Sequence, residues 1–233
     1  MQGVLLVDKP AGWTSFDVVN YVRKMVAQAE GKKPKNCKVG HTGTLDPFAT
    51  GLLVLLVGKE YTRRAGELSK LDKTYEVTMR LGETSSTGDP EGEIMPVSDT
   101  AVPTREEVEA AAAKFVGEIE QIPPAFSAIK VNGQRAYKLA RAGKEVVIEP
   151  RKVRINRLEI TDYNYPEIKF TVDVSSGTYI RTLVEDIAKS LMTGGYTIQL
   201  KRTAVDNFSI THAVDVKEMN AEDVESKLDT LPS

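Results

Sequence analysis

A single carboxylate stands in a segment of the chain whose composition favours tight turns. Residues 40–53 contain three glycines, Pro47 and one acidic side chain, Asp46. Glycine permits backbone conformations that bring a ligand close, and an apolar run over residues 52–57 follows directly. A carboxylate at the mouth of such a buried strand would be partly desolvated and firmly held, as a nucleophile or general base requires. The alternative is an ordinary turn aspartate that precedes a proline.

A candidate partner for this carboxylate lies in residues 175–186. The pattern there predicts a strand end followed by an amphipathic helix, with Arg181 in the first turn of the helix. An arginine close to an apolar face usually has a carboxylate partner. Asp46 is one candidate, and the pair would keep that carboxylate ionised. A solvated Arg181, or one paired with Glu185, explains the same pattern.

An aromatic residue on a predicted strand offers a second kind of chemistry. Residues 74–81 alternate between apolar and polar side chains, and Tyr75 lies on the apolar face. The simpler interpretation is a tyrosine of the hydrophobic core. The functional interpretation places its ring against a planar base, where stacking contributes about 1–3 kcal/mol.

A basic segment with interspersed aromatic residues covers residues 121–143. Phe126 and Tyr137 stand among lysines and arginines, and Lys138 and Arg141 lie on one side of a short predicted helix. Positive charges interleaved with aromatic rings are typical of surfaces that hold nucleic acid. A solvated charged face is the alternative.

The composition excludes several classes of protein. The 233 residues are 41% hydrophobic and 27% charged, unlike a disordered, collagenous or coiled-coil chain. We find no apolar run of the roughly 18 residues that span a bilayer, and expect no signal peptide. One cysteine, Cys37, excludes an internal disulfide and a cysteine-based zinc site, and two histidines leave little for other metal sites. Motifs for a phosphate loop, a nucleophile elbow, a dinucleotide site and a zinc deaminase are absent.

The formal net charge of −2 hides a strong segregation of charge along the chain. Residues 1–41 carry seven basic and three acidic side chains, net +4, and residues 121–157 carry nine and two, net +7. Residues 203–233 carry two and seven, net −5. The overall charge therefore does not exclude a nucleic-acid partner, because binding depends on local patches.

Apolar periodicity predicts groups of strands separated by helices, which indicates the α+β class. Strands are predicted over residues 3–8, 49–57, 74–81, 151–161, 167–175 and 196–202. One helix is predicted to begin at Thr14 or Ser15, and another after a capping box at residues 103–107. Two more are predicted over residues 178–191 and 221–228.

Taken together, these segments resemble the TruB family of tRNA pseudouridine synthases, which isomerise uridine 55 in the tRNA T-loop. The resemblance begins with Asp-Lys-Pro-Ala-Gly-Trp-Thr-Ser at residues 8–15. It continues in the family's order through residues 40–53, 73–75, 123–143, 177–181 and 200–203. The matching region covers residues 3–210, about nine-tenths of the chain.

The resemblance implies a role for each matching residue. Asp46 corresponds to the aspartate that attacks the ribose or the base, Tyr75 to the tyrosine that stacks on the uracil, and Arg181 to the arginine paired with the aspartate. His41 corresponds to a histidine that helps to displace the target base, and Tyr179 and Leu200 to residues that line the pocket. Further contacts to RNA are expected from Lys73, Lys130, Lys138, Arg141 and Arg202.

The resemblance also implies an architecture. We expect the pseudouridine-synthase fold, a mixed and mainly antiparallel sheet with flanking helices and a central catalytic cleft. Residues 1–216 would form the catalytic domain, with an RNA-gripping insertion at about 121–145, and residues 217–233 an acidic tail. We expect no counterpart of the PUA-type RNA-binding domain that many members carry. The sequence departs from the family pattern at Phe126, at Gly195 and at residues 206–207, and the last of these leaves the RNA contacts there open.

The expected reaction requires base flipping and no cofactor. The expected partner is the T-arm stem-loop of tRNA, without a metal or a membrane, and the chain is expected to act in the cytoplasm as a monomer. The alternative is a tRNA-binding folding chaperone that does not depend on catalysis. Because such a chaperone has no need of Asp46, Tyr75 and Arg181, their presence favours the enzyme.

Overall fold

The computed structural model describes residues 1–98, 101–124 and 148–230, together with residues 127, 129–131, 133–136 and 139. The strands are β1 (Gly3–Lys9), β2 (Val39–His41), β3 (Thr50–Val57), β4 (Lys73–Leu81), β5 (Glu83–Ser85), β6 (Ile94–Pro96), β7 (Gly117–Gln121), β8 (Lys130–Val131), β9 (Gln134–Arg135), β10 (Arg151–Asn164), β11 (Glu167–Val174), β12 (Gly195–Val205), β13 (Phe208–Ser209) and β14 (Val214–Asp215). The α-helices are α1 (Ser15–Ala29), α2 (Lys59–Arg63), α3 (Ala65–Leu68), α4 (Arg105–Ala113) and α5 (Ile180–Ser190). The predicted α+β class is confirmed.

The described chain forms two compact units. The first unit comprises Met1–Tyr75 and Leu200–Ser233, and the second comprises Glu76–Gln199. Strands β4 and β12 contribute residues to both units.

The first unit is built on a sheet with the strand order β14-β1-β3-β12, and β2 also pairs with β3. Strands β1 and β3 are antiparallel, while β3 and β12 are parallel, with Arg202 opposite Gly51. Successive side chains of a strand point to opposite faces, so a strand covered on both sides reads as a continuous apolar run. One face of β3 packs in a cluster with α1, and the other in a cluster with Leu68 of α3. This accounts for the uninterrupted apolar sequence of residues 52–57.

Helix α1 begins where its sequence predicts. Thr14 is the N-cap residue, and its hydroxyl accepts the N–H of Asp17 while the Asp17 carboxylate accepts the N–H of Thr14. This reciprocal pair satisfies N–H groups that would otherwise lack partners at the start of the helix. The helix buries one apolar face against the sheet, including Val18, Val22 and Val26.

The second unit contains the strand order β12-β4-β11-β10-β7, and helices α4 and α5. Strands β10 and β11 are antiparallel, as predicted, and β10 also pairs antiparallel with β7. Thr104 caps α4 through the predicted capping box with Glu107. Helix α5 buries Leu183, Val184 and Ile187, the apolar face that its sequence indicates.

The prediction of a helix over residues 221–228 is wrong. Turns occupy most of this segment, with one short 3₁₀ turn at Glu225–Lys227. The Asn220 side chain accepts the N–H groups of Glu222 and Asp223, which fixes a turn in place of a helix. Residue Asp229 then bonds to the backbone of Val4 in both directions, which requires extended chain.

Met219 and Val224 are buried in the core cluster of the first unit, so the segment predicted as an acidic tail is packed against that core. Within the described residues, no helix has the length and apolar character needed to cross a membrane.

Candidate active site

The loop between β2 and β3 carries Asp46, and its backbone is fixed from the start of helix α1. The buried Ser15 hydroxyl donates to the carbonyl oxygen of Leu45 at 3.0 Å and accepts the N–H of Leu45 at 2.8 Å. The carbonyl of Asp46 accepts the N–H of Ala49 at 3.1 Å, which closes a turn. The residue before Asp46 is therefore held at both its N–H and its C=O.

The other side of Asp46 is held by the turn that follows β1. The Lys9 ammonium group is fully buried and donates to the carbonyl oxygens of Pro10, Trp13 and Pro47, at 2.9, 2.7 and 3.2 Å. The N–H of Gly12 donates to the same Pro47 carbonyl at 2.8 Å. The segment at residues 8–15 thus binds the backbone on both sides of Asp46, which is the rigid support that a reactive carboxylate needs.

A second buried cation lies beneath the same loop. The Arg202 side chain is 1% exposed, and it donates from Nε to the carbonyl of Leu52 at 2.8 Å and from Nη2 to the carbonyl of Gly43 at 3.1 Å. Gly43 lies so close to this guanidinium that an added Cβ would stand 3.4 Å from Nη1. Arg202 therefore contacts the loop before and after Asp46.

His41 and Lys73 are partly or wholly buried near this guanidinium. Burial, followed by the positive charge of Arg202, lowers the pKa of His41, so its imidazole is neutral at pH 7. Burial and the same charge lower the pKa of Lys73 to about 8. The Lys73 ammonium group donates to the carbonyls of Ser69, at 3.0 Å, and Leu71.

Tyr75 occupies the position that its strand pattern predicts. Its side chain is buried on the same face of β4 as Val77, Met79 and Leu81. Leu200 is also buried. The predicted site residues of the first unit are His41, Asp46, Lys73, Tyr75, Leu200 and Arg202.

Arg181 belongs to the second unit, where it forms a buried ion pair with Asp89. Its Nη1 lies 3.0 Å from Oδ2 of Asp89 and 2.8 Å from the carbonyl oxygen of Thr87, to which it also donates. The two paired side chains are 6% and 4% exposed, which excludes a solvated arginine. The predicted pairing of Arg181 with Asp46 stays a prediction.

Asp89 is a candidate functional residue that the sequence analysis missed. Its Oδ1 accepts the Thr87 hydroxyl at 2.6 Å and the N–H of Glu91 at 3.0 Å, so both carboxylate oxygens are bound. Gly88 adopts φ +72°, and an added Cβ there would lie 2.6 Å from Oε1 of Glu185. The Thr-Gly-Asp-Pro sequence at residues 87–90 is typical of a turn, but nothing in it indicates a buried ion pair.

Tyr179 stands at the start of α5, two residues before Arg181, and is fixed by the end of β7. The buried Gln121 side chain accepts the N–H of Tyr179 at 3.0 Å and donates to its carbonyl at 3.3 Å. This double contact holds the first turn of the helix that carries Arg181. Gln121 is a second supporting residue that sequence patterns did not identify as such.

The predicted RNA-gripping insertion is described only in part. Lys130 lies in β8, which pairs antiparallel with β9. Lys138, Arg141 and Phe126 lie outside the described residues. No group of three or more His, Cys, Asp or Glu side chains that could hold a metal ion occurs in the part of the chain that is described.

Comparisons with known proteins agree with the resemblance. A family model for the N-terminal domain of TruB family pseudouridylate synthases matches residues 30–180. A protein named tRNA pseudouridine synthase B from Bacteroides fragilis is 46% identical over 212 residues, which cover 91% of this chain and 90% of the relative. A protein of the same name from Pseudomonas fluorescens is 45% identical over 221 residues, covering 95% of this chain and 69% of the relative.

Solved structures give the same result for the fold. A chain from a Cbf5-Nop10-Gar1 complex superposes with a TM-score of 0.70 and 26% sequence identity, over 93% of this chain and 53% of that chain. A chain from an H/ACA RNP bound to a substrate RNA superposes with a TM-score of 0.68 and 22% identity, over 97% and 56%. The present chain therefore spans about half the length of these solved chains.

Proposed function

Because the chain belongs to the TruB family of pseudouridylate synthases, we propose that it isomerises uridine to pseudouridine at position 55 of the tRNA T-loop. The observation that carries the proposal is the support of Asp46, whose neighbours Leu45 and Pro47 are both bound by residues of the segment 8–15. The substrate class follows from the relatives, which are named as tRNA pseudouridine synthases.

The proposed reaction rearranges one nucleotide. The glycosidic bond between C1′ of the ribose and N1 of the uracil breaks, the detached base rotates, and a bond forms between C1′ and C5. The proton on C5 then leaves to water and N1 takes up a proton, so the product is an isomer of the substrate and atoms and electrons balance. Asp46 supplies the nucleophile or base that this sequence of steps requires. A firmly held carboxylate gains reactivity because little reorganisation precedes the attack.

We propose that Arg181 keeps Asp46 ionised by pairing with it. Arg181 is already bound to Asp89, and a guanidinium carries five N–H donors in a fixed planar arrangement. One arginine can therefore serve two carboxylates at once. In this account Asp89 orients Arg181, and Arg181 orients Asp46.

The target uridine must leave its stack before Asp46 can reach it. We propose that the Tyr75 ring stacks on the flipped uracil and replaces part of the lost stacking energy, about 1–3 kcal/mol per base. His41 would occupy the space that the base leaves. Its lowered pKa keeps the imidazole uncharged, so it can enter an apolar base stack at little desolvation cost.

The proposal is tested by tritium release. A tRNA transcript labelled at C5 of its uridines is incubated with the protein, alongside a transcript in which uridine 55 is replaced by cytidine. We expect one tritium per molecule to appear in water from the first transcript and none from the second. If neither transcript releases tritium but the protein promotes refolding of tRNA, the chaperone alternative is supported. Equal release from both transcripts would contradict the assignment of the reaction to position 55.

A further inference from the structure

Arg202 makes contacts that a surface RNA-binding residue would not make. Its guanidinium is buried in the first unit and reaches two backbone carbonyls, at Gly43 and Leu52. Gly43 precedes Asp46 by three residues and Leu52 follows it by six. The side chain therefore connects the two arms of the Asp46 loop to strand β12.

The loop is shaped so that this connection is close. Strands β3 and β12 pair at Lys201–Thr50 and Arg202–Gly51. Gly51 adopts φ +99°, and an added Cβ there would stand 2.3 Å from the carbonyl oxygen of Arg202. Gly43 contacts the guanidinium itself. Arg202 is therefore in direct contact with the chain at both ends of the loop.

The charge of Arg202 also lies close to the segment that carries His41, because His41 stands two residues before Gly43, whose carbonyl oxygen is 3.1 Å from Nη2. Among the described ion pairs none includes Arg202, so its described oxygen partners are neutral carbonyls. A buried guanidinium is costly unless its donors are satisfied, and an apolar residue of similar volume would often fold as well. Stability alone therefore does not explain why an arginine stands at this position.

We infer that Arg202 is a positioning residue for the isomerisation, which holds both arms of the Asp46 loop and imposes a positive field on His41. The inference rests on the proposed function, and it adds a residue that acts through the loop without touching the substrate. Charge and geometry can be separated, because lysine preserves the charge but lacks the two separate nitrogens, Nε and Nη2, from which the planar guanidinium reaches Leu52 and Gly43.

The first test compares the kinetics of Arg202→Lys and Arg202→Gln. We expect kcat to fall by about 100-fold in Arg202→Gln, the effect of a misplaced reactive group, and by about 10-fold in Arg202→Lys. KM for tRNA should change by less than about threefold in both, since the side chain is buried. A rise in KM with kcat unchanged would show that Arg202 binds RNA directly and would overturn the inference.

The second test is an NMR titration of the histidine rings. The chain has two histidines, and a His212→Gln background leaves the His41 signal alone. Burial and then the charge of Arg202 lower the pKa of His41, so removal of that charge in Arg202→Gln should raise the titration midpoint of His41. The midpoint should stay close to the wild-type value in Arg202→Lys. An unmoved midpoint in folded Arg202→Gln overturns the inference whatever the activity.

Two control variants distinguish positioning from general damage. Lys201→Gln removes an exposed positive charge from the neighbouring residue of β12, and should leave the His41 midpoint unchanged. Val216→Ala creates a cavity in the core of the first unit, and should lower stability without changing kcat or the midpoint. The two proposals can fail separately. If the wild-type protein releases no tritium but the His41 midpoint shifts in Arg202→Gln as expected, the proposed reaction is wrong and the effect of the Arg202 charge on His41 is still shown. Equal loss of kcat in Val216→Ala would overturn the positioning role.

Discussion

Lys9, Arg181 and Arg202 are buried cations that bind two kinds of oxygen atom. Lys9 and Arg202 donate to backbone carbonyls around the Asp46 loop, whereas Arg181 pairs with the carboxylate of Asp89. A lysine or arginine in a sequence is most often solvated, so residue type alone does not distinguish these cations from surface ones. A buried charged group is costly unless it reaches its partners. Each of these side chains therefore favours the one arrangement of the chain that supplies them.

At the Arg181–Asp89 pair, we predict a large loss of stability in Asp89→Asn. The Asp89→Asn change removes one charge of a buried, hydrogen-bonded ion pair, which costs about 3–5 kcal/mol in the free energy of unfolding. Denaturant unfolding of wild type and variant measures this difference. Asp186→Asn is the matched control, because its partner Lys189 is largely exposed, and it should cost less than about 1 kcal/mol. A loss as small for Asp89→Asn would contradict the pair's structural role.

Lys73 should make stability depend on alkaline pH. Its folded-state pKa of about 8 lies below the ordinary value of 10.5, so the unfolded chain binds the extra proton between these values. Stability should therefore rise with pH from about 8 to 10.5 relative to Lys73→Met, which lacks the group. Urea unfolding of both proteins at several pH values gives the comparison. Parallel curves over this range would show that the Lys73 ammonium group is not desolvated.

At the scale of elements, local patterns predict most of the fold. The capping boxes at Thr14 and Thr104 mark helix starts, and the apolar run of β3 marks a strand buried on both faces. The helix prediction over residues 221–228 is wrong, because a turn at Asn220 and backbone pairing with β1 outweigh a weak helical preference. Tertiary contacts of this kind are not present in local sequence.

The same limit applies to the candidate site. Asp46, Tyr75 and Arg181 can be proposed as site residues because their residue types stand out within turn and strand patterns or match a family motif. Asp89 and the positioning contacts of Arg202 depend on which loops meet in three dimensions, and a single sequence does not contain that information.

The pairing of strands β3 and β12 gives a prediction at the scale of elements. Gly51→Ala would force a Cβ against the Arg202 backbone in a positive-φ conformation, so the strands must separate locally. We expect a loss of about 1–3 kcal/mol in the free energy of unfolding, measured with denaturant. Gly66→Ala, in α3 and facing open space, is the control and should be neutral or slightly stabilising. Equal effects at both positions would contradict the close approach.

For the whole molecule, the distribution of charge along the chain says more about an RNA partner than the net charge does. The value of −2 combines basic segments at residues 1–41 and 121–157 with an acidic segment at residues 203–233. Part of that acidic segment is anchored in the core of the first unit through Val216, Met219 and Val224. Its charge is therefore held in a fixed place on the first unit, where it can disfavour RNA locally.

The basic segment at residues 121–157 should account for much of the RNA affinity. The double variant Lys138→Gln/Arg141→Gln removes two positive charges that we expect to neutralise phosphates. It should therefore weaken tRNA binding. The slope of log K against log salt should become shallower by about 0.7–0.9 for each phosphate that is no longer neutralised. Binding titrations at several salt concentrations measure the slope. Lys227→Gln, in the acidic segment, is the control and should leave it unchanged. An unchanged slope in the double variant would indicate a solvated face.

The central claim is that Asp46 performs the isomerisation, and Asp46→Asn tests it most directly. The change is nearly isosteric and removes the nucleophile while the backbone contacts of Leu45 and Pro47 are kept. Tritium release from C5-labelled tRNA should fall by about 10⁴-fold or more, while Asp215→Asn, the same change at an exposed carboxylate, should release tritium at the wild-type rate. Release by Asp46→Asn within about tenfold of wild type would contradict the account.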